Sequence, residues 1–278
     1  MRRIAVSSLL AVSLWGCSHA PSTPPAAPPA TSASQPRAAP PPAESSSASS
    51  SATPAANAVD PAAVQALQKM GAYLQTLRTF EAQVDLSGER VLQDGQKLLH
   101  MATAKVDVQR PNMLRAEMRS ARSARDLIYD GKTVVHYLPE QKYYSKAPFT
   151  DNLDELGNRL QERYGIELPV ADLFLWGTPQ APLENMTSAM NAGQDVVDNE
   201  VCDHYAFRQG NVDWQIWIAT GARPLPRKLV IINRADEARP QSVSLIRWRV
   251  NPGFNASRFT FTPPKNATEA KFVPLKSQ

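Results

Sequence analysis

Residues 80–118 read FEAQVDLSGERVLQDGQKLLHMATAKVDVQRPNMLRAEM. Phe80, Ala82, Val84 and Leu86 alternate with Glu81, Gln83 and Asp85, a period of two that predicts a half-buried strand. Gln93-Asp94-Gly95-Gln96 is a hairpin signal. The return strand carries Leu98, Ala102, Ala104, Val106 and Val108 at even positions, interrupted by His100. Arg110-Pro111-Asn112 turns the chain again, and Leu114, Ala116 and Met118 alternate with Arg115, Glu117 and Arg119. Three consecutive strands joined by turns predict an antiparallel meander.

Upstream, Asp60-Pro61 supplies an N-cap and a first helical position. Val64, Leu67, Met70, Leu74 and Leu77 then recur at helical spacing over 61–78. Downstream, short strands are expected over 126–129, 133–138 and 142–146. A helix follows, with Leu153, Leu156, Leu160 and Tyr164 on one face and Gly165 as its stop. Pro169 opens a second short helix running to Trp176, and residues 183–191 are read as a third. Strands resume over 201–207, 212–219, 229–232 and 243–250, with Phe259-Thr260-Phe261 as the last. The class is strand-rich α+β with a mostly antiparallel sheet, and no internal repeat is visible.

The N-terminus has a different character. Arg2 and Arg3 precede an apolar stretch from Ile4 to Trp15, too short to span a bilayer as a mature helix. It ends in Leu14-Trp15-Gly16-Cys17, which resembles the lipobox of bacterial lipoproteins, although Trp15 departs from the usual small residue. That reading makes residues 1–16 a signal peptide and Cys17 the site of lipidation, its thiol accepting a diacylglyceryl group. An ordinary secretory signal is the alternative. Ser18 after the cysteine resembles the sorting preference for the outer membrane. Residues 18–58 are almost entirely Ala, Pro, Ser and Thr, without periodicity. So few large apolar side chains cannot offset the entropy of ordering, so 17–58 is read as a disordered tether and 59–275 as one folded domain.

Of the 30 Lys and Arg residues, Arg2, Arg3 and Arg37 precede residue 59; of the 26 Asp and Glu residues, only Glu44 does. The folded part therefore has a net charge near +2, which gives no warrant for nucleic-acid binding. If Cys17 is acylated, Cys202 is left without an intramolecular partner and is read as a small core hydrophobe. No catalytic signature appears: no Gly-x-Ser-x-Gly elbow, no phosphate loop and no His-Glu-x-x-His helix. Cys202 and His204 share a strand face, but two ligands do not make a metal site. Asp151, Asp154 and Glu155 suit a helix start better than a catalytic pair. Neither a cofactor nor an enzymatic activity is expected.

Several strings together resemble a known family. They include Arg110-Pro111-Asn112-Met113-Leu114-Arg115, Tyr129-Asp130-Gly131-Lys132-Thr133, Tyr143-Tyr144, Tyr164-Gly165-Ile166, Leu168-Pro169, Trp217-Ile218, Pro224-Leu225-Pro226-Arg227-Lys228-Leu229 and Pro263-Pro264. In order and spacing over nearly all of 60–273 they resemble DUF2092, a family of predicted periplasmic proteins. The resemblance implies a fold like that of LolA and LolB, the periplasmic carriers of lipoproteins, and of mycobacterial lipid-binding lipoproteins. It implies a strongly curved antiparallel half-barrel sheet, helices plugging its concave face, and apolar space between them for an acyl chain or a lipoprotein.

Seven residues are candidates for lining such a pocket. Leu173, Phe174 and Trp176 would form an apolar plug, Trp214 and Ile216 share a strand face, Trp217 lies on the opposite face, and Trp248 belongs to a similar strand. The competing reading for all of them is core packing. An envelope structural or interaction protein without a ligand is accordingly the alternative function.

Overall fold

A computed structural model describes residues 58–150 and 152–273. The signal peptide, Cys17 and nearly all of the tether lie outside these residues.

Helix α1 (Pro61–Thr76) starts where expected, with the Asp60 side chain accepting a hydrogen bond from the Ala62 amide at 2.8 Å. Its stripe Ala63, Leu67, Met70 and Leu74 is buried. Each large apolar side chain on that stripe contributes about 1.5–3 kcal/mol by leaving water. The first meander comprises β1 (Thr79–Val91), β2 (Lys97–Gln109), β3 (Met113–Ser120), β4 (Ser123–Tyr129), β5 (Thr133–Leu138) and β6 (Tyr143–Pro148). Helix α2 (Leu153–Tyr164) is capped by Asn152, whose side chain accepts from the Glu155 amide. It stops at Gly165, which takes the left-handed conformation at φ 66°. After α3 (Asp172–Leu175) come β7 (Met186–Val197), β8 (Glu200–Gln209), β9 (Val212–Ala219), β10 (Pro226–Asn233), β11 (Gln241–Val250) and the short β12 (Thr268–Glu269).

The twelve strands among the described residues belong to one sheet, ordered β12-β6-β5-β4-β3-β2-β1-β11-β10-β9-β8-β7. Its edges, β12 and β7, do not pair with each other, so the sheet is open. Every ladder is antiparallel except β12 against β6, which is parallel. The β1–β11 ladder joins the two meanders, pairing Phe80 with Val250, Ala82 with Trp248 and Val84 with Ile246. These residues and their β2 partners Val108, Val106 and Ala104 form one continuous core with Leu67, Met70, Leu156, Leu160 and Phe174 of the helices. Helices α1, α2 and α3 thus pack against one face.

The other face carries charge. Glu81, Asp107 and Asp126 are buried there. The C-terminal segment crosses it as a 3-10 turn (Ala256–Phe259), and Arg258 pairs with both Asp107 and Glu117.

Three sequence expectations need correction. Residues 183–191 are not a helix; they lead into edge strand β7. Register shifts at Met186/Ser188 and Asn191/Gly193 break its alternation, and one neighbour leaves it mostly exposed, so its apolar residues fall at spurious helical spacing. Phe259-Thr260-Phe261 is not a strand either. The Thr260 amide bonds Ser257 within the 3-10 turn, Phe259 is buried, and Phe261 packs on Tyr137 and Tyr144. The helix expected from Pro169 to Trp176 is confined to Asp172–Leu175 and preceded by turns.

Candidate functional site

An apolar pocket of about 160 Å³ opens between α3 and strands β9 and β10. Its helical wall is Leu173 and Trp176, its sheet wall Trp214, Ile216, Leu229 and Ile231. The sheet wall follows from register: Ile216 is paired with Leu229 and Trp214 with Ile231, so alternate residues of two neighbouring strands point the same way. Trp214 is held between Phe207, stacked at 4.2 Å, and Trp176 at 6.0 Å. Its indole Nε1 is buried and lacks a hydrogen-bond partner.

The α3 wall is set by a close backbone approach. A Cβ on Gly71 of α1 would lie 2.4 Å from the Gly177 nitrogen, and Gly177 itself has φ 81°. Gln75 of α1 donates to the Trp176 carbonyl at 2.8 Å. Val170, also lining the pocket, holds a positive φ of 50°, a strained conformation for a β-branched residue. Asp172 stands exposed at the rim, and partial loss of water around its carboxyl pushes its pKa up.

Of the seven candidates, Leu173, Trp176, Trp214 and Ile216 meet around this pocket. Phe174 and Trp248 lie beyond Leu173 around a void of only about 10 Å³, packed against Phe80. The Trp248 indole donates to the Pro226 carbonyl at 2.7 Å. Trp217 is on the opposite face, in a small cluster with Cys202 and Val230. It stacks on His204 at 4.1 Å, has the Lys228 ammonium 4.5 Å from its ring centroid, and donates to Asp195 at 2.9 Å. Leu229, Ile231 and Val170 complete the pocket. The first two sit on a strand legible in the sequence, but only the β9–β10 register puts them opposite Ile216 and Trp214.

A larger groove of about 480 Å³ runs along β7, β8 and β9, lined by Met190, Ala206 and Gln215 and crossed by the Arg208–Asp213 ion pair at 2.7 Å. Its lining is also mostly apolar, but the Arg208–Asp213 pair brings charge into it. Cys202 is fully buried, and burial raises its thiol pKa. Burial and the nearby Arg125 push His136 down. Among the described residues no three His, Cys, Asp or Glu side chains gather to hold a metal, and no helix is long and apolar enough to cross a membrane.

No curated protein matches the chain. Among solved structures it is similar to the Mycobacterium tuberculosis lipoprotein LppX, with 14% identity over 71% of this chain and 99% of that one, at a TM-score of 0.45. LprF from Mycobacterium bovis is similar at 14% identity, 76% and 99% coverage and a TM-score of 0.42. A LolA superfamily protein from Nitrosomonas europaea gives 10% identity, 72% and 97% coverage and a TM-score of 0.35. The model of the family described as predicted periplasmic protein, DUF2092, matches residues 63–273, and the chain belongs to that family.

Proposed function

We propose that this is a periplasmic lipoprotein, cut before Cys17 and anchored through lipid on that cysteine, whose domain binds a hydrophobic ligand without catalysis. In this reading the helices plug the concave side of a half-barrel sheet, and the anchor lies in the outer membrane. The observation that carries ligand binding is the apolar pocket between α3 and β9–β10. Its size bounds the ligand. A dry aliphatic cavity of about 150 Å³ takes up one benzene-sized molecule. The pocket of about 160 Å³ therefore suits the end of an acyl chain, with the remainder outside its mouth. A binder fixed to a membrane acts locally or as a receptor, since a soluble shuttle needs to leave.

Native mass spectrometry of the purified protein tests the reading. Copurifying lipid, or uptake of a fluorescent fatty acid by the delipidated protein, is expected. A protein that is empty and takes up no fatty acid contradicts it.

One observation favours the second reading, an interaction protein with a packed core. The voids around Phe80 and around Leu168 are only about 10 Å³ each, and the other space of about 160 Å³, between β6 and α2, is flanked by the cations Arg159 and Arg163. On that reading the pocket takes an apolar side chain of a partner.

A further inference from the structure

The β1–β2 hairpin outruns its neighbours. The last β1–β11 pair is Gly88 with Ser242, and the last β2–β3 pair is Ala102 with Ser120. Residues 89–101 therefore project past both flanking strands. This projection carries exposed apolar side chains: Met101 is 71% exposed, Leu99 62% and Leu98 37%. Leu99 and Met101 lie two residues apart on one strand face, opposite Glu89 and Ser87. Leu98 faces the other way, opposite Arg90. Apolar residues on both faces of a two-stranded tip have no core to join, and an exposed apolar cluster on a projection marks a contact surface.

Charge narrows the partner. Arg90 on the hairpin and Arg122 in the neighbouring β3–β4 turn are exposed, and neither has an ion-pair partner among the described residues. Lys97 is paired with Glu89 at 3.0 Å. Against them stands one exposed carboxylate without an ion pair among the described residues, Asp94 in the hairpin turn, so free cations outnumber free anions around the apolar side chains. That balance suits an anionic lipid surface, where chains enter the acyl boundary and cations meet head groups.

The path of the chain gives the orientation. From β1 through β11, β10, β9 and β8 to β7 every ladder is antiparallel, so β7 starts at the sheet end where β1 finishes. Val59 bridges to Ala189, the fourth residue of β7, and α1 begins at Pro61. The chain leading back to Cys17 thus leaves the domain at the hairpin's end of the sheet. The sideways step over five strand spacings is about 24 Å, and 41 residues separate Cys17 from Val59.

We propose that the β1–β2 tip docks on an anionic lipid bilayer, with Leu98, Leu99 and Met101 entering the interface and Arg90 and Arg122 meeting head groups. The proposal rests on the anchored reading for its orientation, but its test does not use the anchor. The chain from residue 17 onward carrying Cys17→Ser is mixed with vesicles of phosphatidylethanolamine and phosphatidylglycerol and sedimented. Binding is expected, weaker at high salt and weaker on phosphatidylcholine vesicles. Leu99→Ser with Met101→Ser should lower vesicle partitioning about tenfold or more. Both side chains are exposed, so the melting curve should be retained. Val196→Ser, 69% exposed but at the opposite sheet end, should leave binding unchanged. Absence of vesicle binding, or binding that the double substitution leaves intact, overturns the proposal. So does a dimer that the double substitution dissociates while vesicle binding stays absent, since the tip would then serve a second copy.

Discussion

Gly71 and Gly177 meet backbone to backbone: a Cβ added to Gly71 would stand 2.4 Å from the Gly177 nitrogen and 2.8 Å from the Trp176 carbonyl carbon. This contact sets how closely α1 approaches the turn after α3, and so where Trp176 stands in the pocket wall. Gly71→Ala would gain about 1 kcal/mol of helix propensity. Backbone cannot yield as a flexible side chain would, so overpacking dominates and a net loss of about 1–3 kcal/mol is expected. A urea melt checks it; unchanged or raised stability would mean that the two backbones are not in contact.

The pair Asp107–Arg258 ties the C-terminal segment to the sheet. Asp107 is 1% exposed and its second carboxylate oxygen has no partner. Arg258→Ala should therefore strand a buried charge and cost about 2–3 kcal/mol, less than for a fully enclosed pair because Arg258 meets water. Chemical denaturation measures this directly. A change within error would show that the segment does not hold the sheet.

The same face predicts a pH dependence with two opposing signs. Glu81 and Glu117 sit below the usual carboxylate pKa: burial opposes that shift, but the hydrogen bonds from Gln83 and Lys105 to Glu81, and from Arg115 to Glu117, outweigh it together with nearby cations. Their contribution is present above the unfolded glutamate pKa and lost as pH falls through their folded values. Asp107 goes the other way, since burial pushes it up against Arg258. Its contribution is present below the unfolded aspartate pKa and lost as pH rises through its folded value. Stability should fall on acidification from neutral pH into the carboxylate range. Asp107→Asn should steepen that fall, and urea midpoints across the range report it. An unaltered slope in the variant would contradict the assignment.

The anchored reading predicts that Cys17→Ser moves the protein out of the membrane fraction. Weak hairpin docking would leave a salt-extractable remainder. Firm retention through salt and carbonate washes would rule out lipid on Cys17.

The sheet was legible where one face is buried and the other carries charge. Phe80, Ala82 and Val84 alternate with Glu81, Gln83 and Asp85 because helices cover one side and ion pairs line the other. The same period put Trp214 and Trp217 on opposite faces. Legibility failed where that contrast fades. Strand β7 has a single neighbouring strand and two register shifts, so Met186, Ala189 and Met190 mimic a helix. Phe259 and Phe261 alternate like a strand, yet each packs on aromatic rings rather than in a ladder. The Arg258–Asp107 contact spans 151 residues and leaves no local mark. Pocket and packed core look alike in sequence, because Trp248 and Trp214 are both apolar-face tryptophans. The closer packing around Phe80 and Phe174 and the indole hydrogen bond to Pro226 set Trp248 apart.

The most direct measurement compares fluorescent fatty-acid uptake by the wild-type protein and by Leu229→Trp. Leu229 is partly buried at the pocket wall opposite Ile216, so a larger side chain there should fill the space while the fold persists. Saturable uptake by the wild type, reduced about tenfold or more in the variant, is predicted, because the apolar contact area is lost to the ligand. Equal uptake by both, with matching far-UV spectra and melting curves, would contradict the assignment of this pocket as the ligand site.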